Sequence, residues 1–207
     1  MAQDTGHLRT PPSSSADTLN SPAGAHGEGL LPVDAPLLLG LRDPPIVLRP
    51  EREQDAGFLA DLFRTTAGRD LSLMPIDEAM KAALLRMQFA SQAATYRAQY
   101  PAARFDIIEQ DGVPIGRIVT DPGTEVGCIV DVALMPKQRA RGLGTAILAA
   151  VLERFAHRRQ RVQCQVLEGN EPSLRMFGRV GFRQVAHVPP FQHLEWQPPQ
   201  VTSNGRD

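Results

Sequence analysis

The stretch VGCIVDVALMPKQRARGLGTAILAAVLERFAH, residues 126–157, narrows the possible folds more than any other part of the chain. An apolar run long enough for a central strand ends at Pro136. Two glycines one residue apart follow, and then Leu143, Ile147, Leu148, Val151, Leu152 and Phe155 recur at helical spacing. The apolar period changes from 2 to 3.6 across one short turn, so this is a strand–turn–helix unit. A strand this apolar belongs inside a sheet, with the following helix packed on one face.

The flanking segments extend the pattern. PIVLRP reads as a short strand. EREQDAGFLADLFRTTAG places Phe58, Leu59, Leu62 and Phe63 on one helical face, with acids at its start that suit the helix dipole. MPIDEAMKAALLRMQFASQAATYRAQYP reads as a longer helix with Met80, Leu84 and Met87 as its apolar stripe. FDIIEQDGVPIGRIVT is a hairpin around Asp111-Gly112, because that pair accepts the positive φ of a two-residue turn. After residue 157 come the strand RVQCQVL, the helix EPSLRMFGRV behind Asn170, and the strands GFRQVAHV and FQHLEWQ. The expected order is β α α β β β α β α β β, a mixed α/β domain over residues 45–197. Residues 1–44, rich in Pro, Ser and Gly, read as a disordered tail whose apolar patch LLPVDAPLLLGL docks on the domain, docks on a partner or stays collapsed. Residues 198–207 read as a second tail.

The 207 residues, 42% of them apolar, suffice for one core. Lys plus Arg (22) nearly balance Asp plus Glu (23), so no global field draws the chain to nucleic acid or an anionic membrane, and anion recognition has to be local. Cys128 and Cys164 sit inside apolar strands with no metal-ligand spacing, which suits small buried hydrophobes in a reducing compartment, and no metal is expected. No stretch approaches the roughly 20 apolar residues of a membrane span and no targeting pattern opens the chain, so a cytoplasmic protein is the expectation.

The turn QRARGLGTAIL lacks the Lys-Ser or Lys-Thr of a Walker A loop. It also has Ile147 where a dinucleotide fingerprint needs a third small residue. What remains is Arg139-x-x-Gly142-x-Gly144 opening a helix. Glycines there leave the backbone N–H groups of the first turn open to an anion, and the dipole adds partial positive charge, an arrangement suited to a diphosphate. The alternative is a loop that only turns the chain, with Lys137, Arg139 and Arg141 as a solvated face.

This turn after VALMP, followed by Asn170, Ser173, Phe177, Gly181 and Phe182, resembles the GNAT superfamily of N-acetyltransferases across residues 45 to about 197. The resemblance implies a largely antiparallel central sheet flanked by helices, and transfer of an acetyl group from acetyl-CoA to a primary amine. It further implies that Ala133, Leu134 and Met135 offer backbone groups to the pantetheine arm, and that Arg139, Arg141, Gly142, Leu143, Gly144 and Thr145 surround the diphosphate. Asn170 and Phe177 would contact the cofactor too. Ser173 stands where the family usually has alanine, and its hydroxyl either caps locally or bonds the cofactor. Arg154, His157, Arg158, Arg159 and Arg161 either meet the nucleotide's additional phosphate or complement the end of their helix.

An acceptor amine with a pKa near 10.4 must lose a proton. Asp131 interrupts an apolar strand, and a strict period of 2 places it on the face of Ile129 and Ala133, so it is the first candidate base. Glu168 is the second, and His187 and His193 stand further back. Many family members carry tyrosine seven residues after the asparagine, where its phenol meets the departing thiolate; Phe177 stands there instead. Tyr96 and Tyr100 end the second helix, which borders the acceptor region in the family, and Phe191 and Trp196 are candidates for an apolar wall. The acceptor is a small-molecule amine or an amine of a peptide or protein, and the chain is a monomer or homodimer. The second reading is a non-catalytic domain that binds CoA or acetyl-CoA and acts through a protein partner.

Overall fold

The computed structural model describes residues 36–40, 45–72 and 74–199. Its elements are β1 (Leu37–Leu38), β2 (Ile46–Pro50), α1 (Ala56–Ser72), α2 (Glu78–Gln99), β3 (Arg104–Gln110), β4 (Val113–Asp121), β5 (Val126–Leu134), α3 (Leu143–His157), β6 (Arg161–Leu167), α4 (Glu171–Arg179), β7 (Arg183–Val188) and β8 (Phe191–Trp196). The strands form one sheet in the order β1-β2-β3-β4-β5-β6-β8-β7, and every pairing is antiparallel except β5 with β6. This is the expected mixed α/β architecture. The hairpin forms as read: Asp111 and Gly112 both take positive φ, 52° and 70°.

The expected tail boundary at residue 44 needs correction. Leu37–Leu38 pairs with Leu48 and Val47 as an added edge strand, and Leu37 and Leu39 pack against the main apolar cluster. Leu37, Leu38 and Leu39 of the patch therefore dock on the domain, because β2 offers both an open ladder and apolar neighbours. The remainder of the N-terminal tail expectation, residues 1–35 and 41–44, and residues 200–207 of the C-terminal one lie outside the described residues.

The larger core lies between the sheet and α3 with α4. Ile118, Ile129 and Val132 from the strands meet Ile147, Leu148, Val151 and Phe177 from the helices. α1 covers the other face, where Tyr96 of α2 packs with Val119 and Val130. The stripe Met80, Leu84 and Met87 does not form a core: Met80 and Met87 are 52% and 62% exposed. Among the described residues of α2 only Tyr96 is buried, because the helix leans on α1 and meets the sheet near its C-terminal end.

Candidate functional site

A fork in the sheet positions the site. β5 pairs with β6 only from Val126 to Ile129, against Arg161 to Cys164. Just past that point Val130 is an extra residue in the ladder with β4, since Val119 faces Asp131 and Thr120 faces Ile129. Beyond the bulge β5 stays on β4 while β6 continues with β8, so residues 130–134 have no ladder on their β6 side. The opening is a cleft of about 440 Å³ lined by Val132, Ala133 and Leu134, by the loop and first turn of α3, and by one face of α4.

The α3 end of the cleft is built for an anion. Gly142 is the N-cap with φ 74°, in the left-handed region that a side chain would strain, and no side chain caps the helix. Ala146 N–H bonds the Gly142 carbonyl, so the preceding N–H groups of Leu143, Gly144 and Thr145 have no partner within the helix. Gly144 serves a close approach: a Cβ on it would lie 2.7 Å from Met176 Sδ of α4. Arg139 lines the cleft, but its guanidinium holds the loop, donating from Nε to the Leu134 carbonyl (2.8 Å) and from Nη2 to Thr65 Oγ1 of α1 (3.2 Å).

α4 starts differently. Asn170 is fully buried at the N-cap, where Oδ1 accepts from the Ser173 N–H at 3.2 Å, while Nδ2 is buried without a hydrogen-bond partner. The local cap is thus made by Asn170 and not by the Ser173 hydroxyl, and Ser173 lines the cleft.

The structure brings Ala133, Leu134, Arg139, Gly142, Leu143, Gly144, Thr145 and Ser173 together around the cleft. Met135 is directed elsewhere, donating its N–H to the Ile115 carbonyl of β4, and Arg141 is exposed outside the lining. Phe177 is wholly buried in the core, edge-to-face with Phe182 at 5.0 Å, and does not reach the cleft. Arg154 and its neighbours occupy the opposite end of α3, where Arg154 lies near Arg104 and Asp106 and is half-desolvated, which lowers its pKa. Phe191 and Trp196 are buried, and Trp196 belongs to the main core.

Asp131 is fully buried and ion-paired with Arg117, whose Nε and Nη2 both reach Oδ2 at 3.0 and 2.5 Å. Arg117 Nη2 also donates to Gln92 of α2. The bulge explains why strict alternation misplaced Asp131: Ile129 and Val132 both face α3, whereas Val130 and Asp131 meet residues of the other face. Glu168, half-exposed between β6 and α4, makes a short contact with His187 Nε2 of β7. His193 faces Gln165 across β6 and β8. On the α1–α2 side Phe63, Gln92, Thr95 and Tyr96 help line a second hollow of about 420 Å³. Tyr100 and Cys128 are hydrogen-bonded neighbours: burial raises the phenol and pushes the thiol up to about 12. Burial also raises the Cys164 thiol well above its usual value.

The motif reading missed Gln138, Ala140, Pro172, Arg175, Met176 and Arg179, all of which line the cleft. Positions 172, 175, 176 and 179 follow helical spacing and present one face of α4, a signal the sequence already contained.

The sequence profile of the Acetyltransferase (GNAT) family matches residues 76–182, more than half of the chain. The chain belongs to the GNAT acetyltransferase family. Solved structures agree on the GNAT fold. PaiA N-acetyltransferase from Thermoplasma acidophilum, in complex with coenzyme A, has a TM-score of 0.55 at 16% identity, covering 73% of this chain and 98% of that one. An aminoglycoside acetyltransferase with coenzyme A gives 0.54 at 19%, covering 73% and 94%. RimL, a ribosomal L7/L12 alpha-N-protein acetyltransferase with coenzyme A, gives 0.54 at 14%, covering 78% and 98%. A comparison with curated proteins finds no match. Among the described residues, no helix of this GNAT chain is long and apolar enough to cross a membrane, and no group of three or more His, Cys, Asp or Glu side chains is arranged to hold a metal ion.

Proposed function

We propose that this chain is an acetyl-CoA-dependent N-acetyltransferase that passes the acetyl group directly to a primary amine of a small molecule or of a peptide or protein. The observation that carries the reading is the fork itself: an unpaired strand edge leads to a helix start without a side-chain cap, in a cleft walled by three arginines and no acid. The fit to acetyl-CoA is local and chemical. The N–H groups of Leu143, Gly144 and Thr145 suit a diphosphate, and the unladdered main chain of residues 130–134 suits an amide-bearing arm. Arg139 acts by fixing the loop, and Asn170 Nδ2 is a buried donor available beside the cleft.

When bound, acetyl-CoA supplies the activated acetyl group and its own leaving thiol. The chain's share is to hold it, exclude water from the fork, and take the amine's proton. Of the two candidate carboxylates, Glu168 is half-exposed and joined to His187, whereas Asp131 is sealed under its ion pair. Proton acceptance is accordingly assigned to Glu168 with His187, and Asp131 is a positioning residue that fixes β5 through Arg117. The cysteines support direct transfer, since burial keeps both thiols protonated near neutral pH and leaves neither as a ready nucleophile for an acyl-enzyme.

Thiol release measured over a panel of amines tests the reading, with calorimetric binding of acetyl-CoA alongside. Turnover on one class of amine is expected, and Glu168→Gln should lower kcat about 100-fold or more while affinity for acetyl-CoA is retained. Binding without turnover on any amine would favour the second reading, a non-catalytic acetyl-CoA or CoA sensor acting through a protein partner. The core position of Phe177, which offers no phenol to the thiol, motivates that alternative.

A further inference from the structure

The cleft's lining contains Arg139, Arg175 and Arg179 and no acidic residue, in a chain whose cations and acids otherwise nearly balance. The three arginines are not equivalent. Arg139 is tied to the Leu134 carbonyl and to Thr65. Arg175 is more than half exposed and has only a 4.0 Å contact with Glu171. Arg179, also exposed, has no ion-pair partner among the described residues. Two cations on one wall of a cleft, one turn apart, therefore lack the partner that their placement suits.

Their position follows from how α3 and α4 meet. Met176 abuts Gly144, so the residue before it and the residue one turn later flank the first turn of α3, where the backbone N–H groups gather. Arg175 and Arg179 lie about 6 Å apart along the α4 axis at 1.5 Å per residue. A ligand with one phosphate group on the α3 amides and a second, dianionic phosphate nearby would meet both. Arg154, His157, Arg158, Arg159 and Arg161, the basic cluster prominent in the sequence, begin about 16 Å further along α3. There Arg154 is near Arg104 and Asp106.

Building on the acetyl-CoA reading of this cleft, we infer that Arg179, supported by Arg175, recognises the ribose 3′-phosphate of the nucleotide and makes the chain select CoA over dephospho-CoA. Guanidinium groups suit a terminal phosphate because they donate two parallel N–H bonds to its oxygens. A helix C-terminus also favours a cation at position 179.

Titration calorimetry with CoA and with dephospho-CoA on the full chain tests the inference, without reference to turnover. The unaltered chain is expected to bind CoA about tenfold or more tightly than dephospho-CoA, the size of one charge-assisted hydrogen bond. Arg179→Gln should lower CoA affinity to the dephospho-CoA level and leave dephospho-CoA affinity unchanged, Arg175→Gln should lose part of the preference, and Arg154→Gln should keep all of it. Thermal melts verify that the exposed substitutions leave the fold intact. Equal affinity of the unaltered chain for both ligands, or a full preference retained in Arg179→Gln, overturns the inference and leaves the acetyl-CoA reading standing. Absence of CoA binding at millimolar concentration overturns both.

Discussion

Two clusters on opposite faces of the sheet treat their charged and polar groups in opposite ways. On the α1 face they close on one another: Asp131 with Arg117, and Arg49 with Asp55 through two 2.8 Å bonds and with Glu109 at 2.6 Å. On the α3–α4 face, the first-turn amides of α3, Arg175 and Arg179 border one cleft without such closure. Closed ion pairs in a buried setting fix strands and helices, whereas groups left open on a cleft are available to a ligand. The contrast separates residues that hold the fork from residues that use it.

The sharpest way to break this contrast is at Asp131. Asp131→Ala strands Arg117 in the interior and should cost about 3–5 kcal/mol of stability by urea denaturation. The double variant Arg117→Met, Asp131→Leu should recover most of that loss, as expected when the pair is structural. A stable Asp131→Ala protein would move Asp131 to the functional side. On the open face, Gly142→Asp puts a carboxylate where the diphosphate is expected and should weaken acetyl-CoA binding about 100-fold in calorimetry, with only a modest drop in melting temperature. Unchanged affinity would remove the α3 turn from the site.

Smaller effects sharpen the same division. Asn170→Ala removes the α4 cap and should cost about 1–2 kcal/mol in urea. Asp55 tests the closed side through pH. Arg49 holds its carboxyl below the ordinary value, so the pair's contribution is present above the unfolded-state value near 3.9 and disappears as pH falls through the lower folded-state value. The stability gap between Asp55→Asn and the unaltered chain should therefore be full at neutral pH and shrink in acid below about pH 4. The smallest effect expected concerns Cys128: with its thiol pushed up to about 12, iodoacetamide should label it far more slowly in the folded chain than in urea.

What the sequence made legible was local. The Asp111-Gly112 hairpin and the strand–turn–helix at residues 126–157 each follow from a few consecutive residues whose backbone demands or periodicity are unambiguous. Three features depended on partners elsewhere in the chain. Leu37 and Leu39 became an edge strand because β2 presented a suitable ladder, and nothing in a proline-broken patch announces that. The side of Asp131 was lost to one extra residue at Val130, since a bulge reverses every expectation drawn from strict alternation. Arg175 and Arg179 border the cleft only because α4 docks on α3 through Met176 and Gly144.

The fork has one more consequence. Its length is set by where a main-chain ladder stops, at Ile129, and by where β5 ends, at Leu134. Five residues at about 3.3 Å each give a groove roughly 16 Å deep. Such a gauge is digital: it changes only by whole residues, through an insertion, a deletion or a shifted bulge, and ordinary side-chain drift leaves it untouched. Variation among side chains along this groove would alter its lining while preserving the reach of whatever arm it measures.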